Sequence, residues 1–407
     1  MDNNDFQYSA RQKGFHLLRR FTFLDSFNIL RFIYKEMFLK SSENRGIRSI
    51  RLKKYPVYIG GGVLGIIPEM LAQESFSNIV VLTDSNTRKH CLPVLEKYLK
   101  HFKVLEIPPG ESSKSLERAV WLWQEFTRIG LDRGSVVINL GGGVVTDLGG
   151  FAEATFKRGI EFWHVPTSLM GMVDASIGGK TGIDFLNLKN QVGLYRDPAA
   201  IFVYPPFLKT LSEREIQSGF AEVIKHGLVR DYSLWERVHD AESDGKLCAT
   251  EEIIGASIWV KADLVQMDPY ERKLRKALNF GHSIGHALES VFLEKESADI
   301  LLHGEAIAIG MICESFISFQ KRLLDEDSLN EITFFLLRHF PAVTVSPEDE
   351  KKLLQLLPHD KKNVGNKNMF TLLNGIGSYL VNQEVTQEEV IASLSFYREM
   401  ISRQQPL

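Results

Sequence analysis

Between Tyr55 and Leu140 one pattern recurs four times: a short apolar run, a cluster of turn formers, then a helix-like stretch. The runs are Tyr55 to Ile59, closed by Gly60-Gly61-Gly62, and Ile79 to Leu82, closed by Thr83-Asp84-Ser85-Asn86. Val104 to Ile107 follows, closed by Pro108-Pro109-Gly110-Glu111, and then Ser135 to Leu140, the strongest, closed by Gly141-Gly142-Gly143. Strands alternating with helices predict a mostly parallel sheet covered on both faces. After about residue 205 long helical patterns take over, and strand signals return only at Phe370 to Leu373. At 407 residues the chain is too long for one ordinary core. The expected class is α/β plus α: an N-terminal Rossmann-like, mostly parallel sheet domain over residues 49–205 and a mainly helical C-terminal domain over 206–407.

Composition narrows the function. The net charge is −3, so no general attraction to nucleic acid is implied, and only a local basic pocket for a small anion remains. Cys91, Cys248 and Cys313 are too dispersed for a disulfide framework or a cysteine zinc site, which suits a reducing cytoplasm. No apolar run approaches the roughly 20 residues of a membrane span. Residues 1–48 are rich in Phe, Arg and Lys but lack the ordered regions of a signal peptide. We expect a poorly ordered extension, with an amphipathic surface helix as the alternative. Met37 is a candidate true start, because recognisable organisation begins only near Ile50.

Three signals carry chemistry. The first is the glycine run 141–143, between a strand and a helix start at Val144 to Phe151, which lets backbone approach a phosphate closely. Asp84 and Asn86, at the end of an earlier strand, are candidates for ribose hydroxyls. The usual G-x-G-x-x-G fingerprint is absent, and a bare strand–helix turn would need the same glycines. The second is Asp174 to Gly182, where Lys180 follows Gly178-Gly179 and Lys189-Asn190 lie just beyond. It reads as an anion site or a solvated loop lysine. The Walker spacing fails, because Asp174 stands where the first glycine belongs.

The third signal is a set of dispersed ligand types. His282 and His286 lie four apart in an apolar pattern (Leu278, Ile284, Leu288, Val291, Phe292), hence on one helix face. They either share one metal or serve a metal and an anion separately. Glu222 and Lys225 lie three apart on an apolar helix, which suggests a buried charged pair, and His303 opens another helix. Glu222, His282 and His303 match the two-His, one-carboxylate set of open catalytic zinc sites, although each alone also reads as a satisfied core residue or an ion pair.

Many separate motifs then fall in one order: Asp84-Ser85-Asn86, Pro109-Gly110-Glu111, Gly141 to Asp147, Lys157-Arg158-Gly159, Pro166 to Leu169, Met172 to Asp174, Gly178 to Thr181, Lys189-Asn190, Ala221 to His226, Arg275 to His282, Leu302 to Glu305 and Asp360 to Asn363. In this order they resemble the 3-dehydroquinate synthase family, from about Arg51 to the C-terminus. The resemblance implies a carbon–oxygen lyase dependent on NAD and one divalent metal, zinc or cobalt first. It would turn 3-deoxy-D-arabino-heptulosonate 7-phosphate into 3-dehydroquinate and phosphate, a step of the shikimate pathway. The implied course is transient oxidation by NAD, phosphate elimination, reduction, ring opening and intramolecular aldol closure.

Carried over residue by residue, the resemblance makes Glu222, His282 and His303 the metal ligands of a helical metal-binding domain. NAD contacts would be Asp84, Asn86, Glu111, Lys114, Gly142, Gly143, Val144, Asp147, Thr167, Ser168, Lys180, Lys189, Thr210, Leu211 and Glu215. The catalytic and substrate set would be Asp174, Lys180, Asn190, Lys225, Lys261, Arg275, Asn279, His286, Lys361 and Lys362. Arg158 would reach the neighbouring subunit's site, so a homodimer is implied. Arg275 suits the planar carboxylate, and Lys180, His286 and a lysine near 361 suit the phosphate. In the family the substrate's own phosphate is thought to help remove the proton, so no separate carboxylate base is expected. Departures from the family pattern fall on loops: Ser168 for threonine, Lys273 for glycine, Pro269-Tyr270, and Leu194 to Pro198. The alternatives are another sugar-phosphate cyclase, or a metal-dependent polyol dehydrogenase of the same architecture.

Overall fold

The computed structural model describes residues 46–186, 188–293, 295, 301–357 and 367–404. The expectations for residues 1–45, Met37 included, and for Lys361 and Lys362 lie outside the described residues. In chain order the first nine strands are β1 (Arg48–Arg51), β2 (Pro56–Ile59), β3 (Ile79–Asp84), β4 (Lys103–Ile107), β5 (Val136–Gly141), β6 (Glu161–Pro166), β7 (Lys180–Phe185), β8 (Leu188–Tyr195) and β9 (Ala200–Val203). Seven of them make one sheet in the order β1-β2-β9-β6-β5-β3-β4. Every pairing in it is parallel except β1 with β2.

The four apolar runs seen in the sequence are β2 to β5. Four later strands escaped that reading for local reasons. β6 carries Glu161, His164 and Pro166 among its apolar residues, and β9 is four residues long. β7 and β8 form a separate antiparallel hairpin with a glycine in each strand. Lys180, Lys189 and Asn190 therefore stand on strands, not on a phosphate loop. The C-terminal strand signal also has a partner: Asn368–Leu373 pairs with Tyr379–Val385.

Alternation along the strands splits the core between the two faces. Val136, Ile138 and Leu140 join an apolar cluster that includes Phe220, Ile224 and Val260 of the C-terminal half. Val137, Val80 and Leu82 face a second cluster with Leu122, Phe126, Val145 and Leu148. The helices of the first half are α1 (Ile67–Gln73), α2 (Ser85–His90), α3 (Leu92–Leu95), α4 (Leu116–Arg128) and α5 (Gly143–Thr155). The second half holds α6 (Glu213–Arg230), α7 (Tyr232–Asp240), α8 (Glu251–Met267), α9 (His282–Leu293), α10 (His303–Gln320), α11 (Glu326–His339), α12 (Pro347–Leu356) and α13 (Gln387–Gln404). Among the described residues no helix is long and apolar enough to cross a membrane.

Two features place the site. The chain steps from β3 outward to β4 and returns at β5 on the other side of β3, so a crevice opens at the carboxyl ends of β3 and β5. In the helical half, α10 lies hard against α6 and α9. A Cβ on Gly304 would stand 1.8 Å from the Ser218 carbonyl oxygen, and one on Gly310 1.9 Å from that of Gly281. Glycine at these positions lets the three helices that carry Glu222, His282 and His303 converge.

Beneath the crevice lies a polar cluster the sequence reading did not single out. Asn139 on β5 donates to Glu153 Oε2 at 2.8 Å, and both side chains are fully buried beside His164. Burial pushes the Glu153 carboxyl up to about 8, against a smaller opposing effect of the Asn139 amide, so it is mainly protonated at neutral pH. A carboxyl whose pKa rises on folding lends stability that is complete below its unfolded pKa and is lost as pH climbs through about 8. Glu153→Gln removes that loss. Its stability relative to the parent, from urea midpoints at pH 5, 7 and 9, is expected to improve with pH by a few kcal/mol, roughly 1.4 kcal/mol per pH unit across the window. A constant difference across the three pH values would show that Glu153 is not the titrating group.

Candidate active site

The metal-type residues meet as their chemistry requires. Glu222, fully buried on α6, gives Oε2 to the Lys225 ammonium one turn on. Its Oε1 faces His282 Nε2 at 3.5 Å and His303 Nε2 at 3.7 Å, both longer than a hydrogen bond. Oε1 has no hydrogen-bond partner among the described residues. The opposite edges of the two rings are held: His282 Nδ1 lies 3.1 Å from the Phe280 carbonyl oxygen, and His303 Nδ1 lies 3.2 Å from Glu289 Oε2. Rings anchored through Nδ1, with Nε2 turned toward a shared carboxylate, suit metal ligation. The surroundings also favour positive charge here. Burial pushes His303 down, but Glu289 and Glu222 outweigh it and raise the ring to about 10. For Glu222, burial pushes the carboxyl up, and Lys225 and His303 override it and hold the group below its ordinary range. The residues present fit one divalent ion.

His286 stands one turn beyond His282, with its ring 4.9 Å from that of His282 and 5.5 Å from that of His303. Ligand atoms of the three histidines all lie within 4.8 Å of one another, so a three-histidine grouping is geometrically open as well. A second grouping, Asp174, Glu222 and His226, is threaded by ammonium groups, since Lys261 pairs with Asp174 and Lys225 with Glu222.

The proposed nucleotide residues collect at the carboxyl edge of the sheet. Asp84 ends β3 and caps α2 by accepting from the Thr87 amide at 2.8 Å, and Asn86 lies in that first turn. Gly142, Gly143 and Val144 form the start of α5, whose N-cap carries no side-chain hydrogen bond. A Cβ on Gly142 would sit 3.1 Å from Ser168 Oγ, so the glycine keeps that helix start open. Thr167 and Ser168 follow β6, and Thr210, Leu211 and Glu215 follow β9, Glu215 in a capping box with Ser212. Lys114, 5% exposed, holds Asp147 Oδ2 at 2.7 Å and Glu111 Oε1 at 4.0 Å. This cradle fits an anionic dinucleotide.

The substrate-type cations have their own partners. Lys261 pairs with Asp174, whose Oδ1 also stands 3.8 Å from His226 Nε2. Arg275 is 1% exposed and donates through Nη1 to the carbonyl oxygens of Pro269 and Gly178 at 2.8 and 3.1 Å. Its Nε and Nη2 have no hydrogen-bond partner among the described residues. Gly178, at φ +98°, lets the backbone pass over the guanidinium, since a Cβ there would fall 2.3 Å from Nη2. Asn190 takes a left-handed φ of 52° and donates its amide to Asp184 at 2.7 Å. Arg158 stands apart, at the far end of α5 from the Gly142 cradle.

The sequence reading missed three carboxylates. Glu271 receives the Lys180 ammonium on Oε2 and the Asn279 amide on Oε1 at 2.7 Å, so a second acid besides Asp174 sits among the substrate residues. Glu289 orients His303. Glu314, fully buried on α10, accepts from the amides of Gly281, Ser283 and Ile284 at 2.6, 3.1 and 3.3 Å and so caps the helix bearing His282. Acids in otherwise apolar helix patterns were the available signal for the last two. The departing loops also find one another. Tyr195 and Tyr270 rings meet edge to face at 5.4 Å, and Asp268 holds the turn through Lys273 by accepting from the amides of Arg272, Lys273 and Arg275.

Comparison with known proteins shows the family. Residues 104–218 match the family described as 3-dehydroquinate synthase N-terminal, and residues 219–363 match 3-dehydroquinate synthase C-terminal. A 3-dehydroquinate synthase of Parabacteroides distasonis is 39% identical over 336 residues, which is 82% of this chain and 95% of that protein. A 2-epi-5-epi-valiolone synthase of Streptomyces hygroscopicus, solved with NAD+ and Zn2+ bound, superposes with a TM-score of 0.75 at 28% identity, covering 86% of this chain and 98% of that one. A 2-deoxy-scyllo-inosose synthase shares the fold at a TM-score of 0.73 and 23% identity, covering 87% and 99%. The chain belongs to the 3-dehydroquinate synthase family.

Proposed function

We propose that this chain converts 3-deoxy-D-arabino-heptulosonate 7-phosphate to 3-dehydroquinate and phosphate with catalytic NAD and one divalent metal. The observation that carries the choice of substrate is Arg275: a buried guanidinium with two donor nitrogens unmatched, within electrostatic reach of Asp174, is built for a carboxylate. When bound, the ion supplies Lewis-acid polarisation of a substrate hydroxyl and the nicotinamide a reversible hydride acceptor. Glu222, His282 and His303 hold the ion, for which Zn2+ is our first choice, as in the valiolone synthase structure. Arg275 grips the carboxylate, Lys180 and His286 serve the phosphate end, and Asn190 contacts the substrate. The Lys225–Glu222 and Lys261–Asp174 pairs keep the cations between them fixed. An anion arriving at Lys180 must displace Glu271, which frees that carboxylate beside Asn279. Holding one flexible substrate in a single pose through several steps is chiefly positioning work.

Three further assignments belong to this reading. The boundary between the nucleotide-binding and metal-binding domains lies near residue 205, just after β9 ends at Val203. Arg158 serves a neighbouring subunit in a homodimer: the 13 residues of α5 put it about 20 Å from the Gly142 cradle of its own chain. A reducing cytoplasm suits the free thiols of Cys91, Cys248 and Cys313.

The test is phosphate release from the heptulosonate phosphate, with and without chelator and NAD+. We expect release to require both and no NADH to accumulate. Turnover of a neutral sugar phosphate alone would mean another cyclase, and stoichiometric NADH a polyol dehydrogenase.

A further inference from the structure

Glu289 on α9 belongs to neither the ligand set nor the nucleotide set, yet it touches both. It is 4% exposed, and its two oxygens serve different partners. Oε2 lies 3.2 Å from His303 Nδ1, and Oε1 accepts from Lys189 Nζ at 2.7 Å. Lys189, on β8, lies 3.4 Å from Glu111 Oε1. Glu111 is 4.0 Å from Lys114 Nζ, which holds Asp147 on α5. A line of alternating charges thus runs from a metal ligand in the helical half to the start of the nucleotide helix in the sheet half. Glu289 is the link in it that joins the two halves.

We propose that Glu289 is a positioning residue that couples metal binding to dinucleotide binding. An ion on His303 Nε2 fixes the ring, the ring fixes Glu289, and Glu289 holds Lys189 in the conformation the dinucleotide uses. A buried carboxylate that keeps only one of its two partners leaves an oxygen unmatched, which is costly, so ordering one end orders the other. The coupling is reciprocal: whatever factor the metal gives to NAD+ affinity, NAD+ gives to metal affinity. A factor of about ten falls within the usual range for coupled sites.

The inference rests on the metal and nucleotide assignments above, and its test separates the two. NAD+ affinity is measured by calorimetry on the full chain, stripped of metal and then loaded with Zn2+. The parent is expected to bind NAD+ about tenfold more tightly with Zn2+. Glu289→Gln is expected to bind both but to lose the difference, since its amide nitrogen cannot accept from either lysine or imidazole N–H. In the Co2+ form, NAD+ should shift the ligand-field bands of the parent and leave those of Glu289→Gln unmoved. Should Glu289→Gln lose metal outright, Lys189→Met decides: NAD+ weakens with or without Zn2+ to the same final value, while Zn2+ affinity without NAD+ stays within about twofold of the parent. A parent factor of one, or a factor retained in both variants, overturns the inference. Failure of the parent to bind Zn2+ or NAD+ at all overturns the site assignments instead.

Discussion

His282→Ala is expected to purify without metal, whereas His286→Ala keeps a full equivalent and turns over slowly. Both rings sit on one face of α9, and with His303 they bring three ligand nitrogens within 4.8 Å, so spacing alone does not divide their roles. Glu222 does. Its Oε1 faces the Nε2 atoms of His282 and His303 at 3.5 and 3.7 Å, and the carboxylate is wholly buried with that oxygen unmatched. A buried carboxylate oxygen in that state is expensive unless a cation meets it. Losing one of three protein ligands removes roughly a third of a site worth about 10–16 kcal/mol, so metal affinity should fall by about 10²- to 10⁴-fold. His286→Ala removes the group we propose for the substrate's phosphate end, and kcat should fall by roughly 10²-fold. Metal content by atomic absorption after dialysis, read beside kcat, checks both. Equal metal loss in the two variants would make the site a three-histidine one and reduce Glu222 to a supporting group.

How far this centre could be read from sequence depended on what each residue had to satisfy locally. β2 to β5 were legible because a parallel strand covered on both faces is a continuous apolar run. β6 was not, because His164 and Glu161 interrupt the run while still facing partners inside the fold. The β7–β8 hairpin was not, because the Gly178-Gly179 pair leading into it looked like a phosphate loop. In the structure Gly178 instead admits the Arg275 guanidinium. Residue types with few bland uses, such as His282 with His286 or Lys225 beside Glu222 in an apolar helix, were singled out from spacing, and the family resemblance sorted them. Glu289, Glu314 and Glu271 act through neighbours 14, 33 and 91 positions away in the chain, and no local pattern announces such pairings. Supporting carboxylates of this kind are what tertiary structure adds to a motif reading.

Arg275→Lys should be nearly as damaging as Arg275→Ala, because the site uses the guanidinium's shape as well as its charge. Nη1 is already committed to the carbonyl oxygens of Pro269 and Gly178, which fixes the plane of the fork. Nε and Nη2 remain, two parallel donors on one edge, the arrangement that meets a carboxylate bidentately. A lysine offers one ammonium that cannot hold both carbonyls and both carboxylate oxygens from that depth. Removing one member of a buried charged pair costs about 2–5 kcal/mol, or roughly 30- to 4,000-fold in kcat/KM, and most of it should appear in KM if the carboxylate grip is equal in ground and transition states. The decisive arm uses a substrate analogue that lacks the carboxylate. The parent should handle it poorly, and Arg275→Ala should handle it no worse than the parent does, because the interaction is already absent. If the variant loses as much on that analogue as on the full substrate, Arg275 maintains the turn around Asp268 and Gly178 and does not read the carboxylate. Circular dichroism and metal content identical to the parent would keep that conclusion from being a folding artefact, since the Asp268 contacts to the backbone amides of Arg272 and Lys273 do not involve the guanidinium.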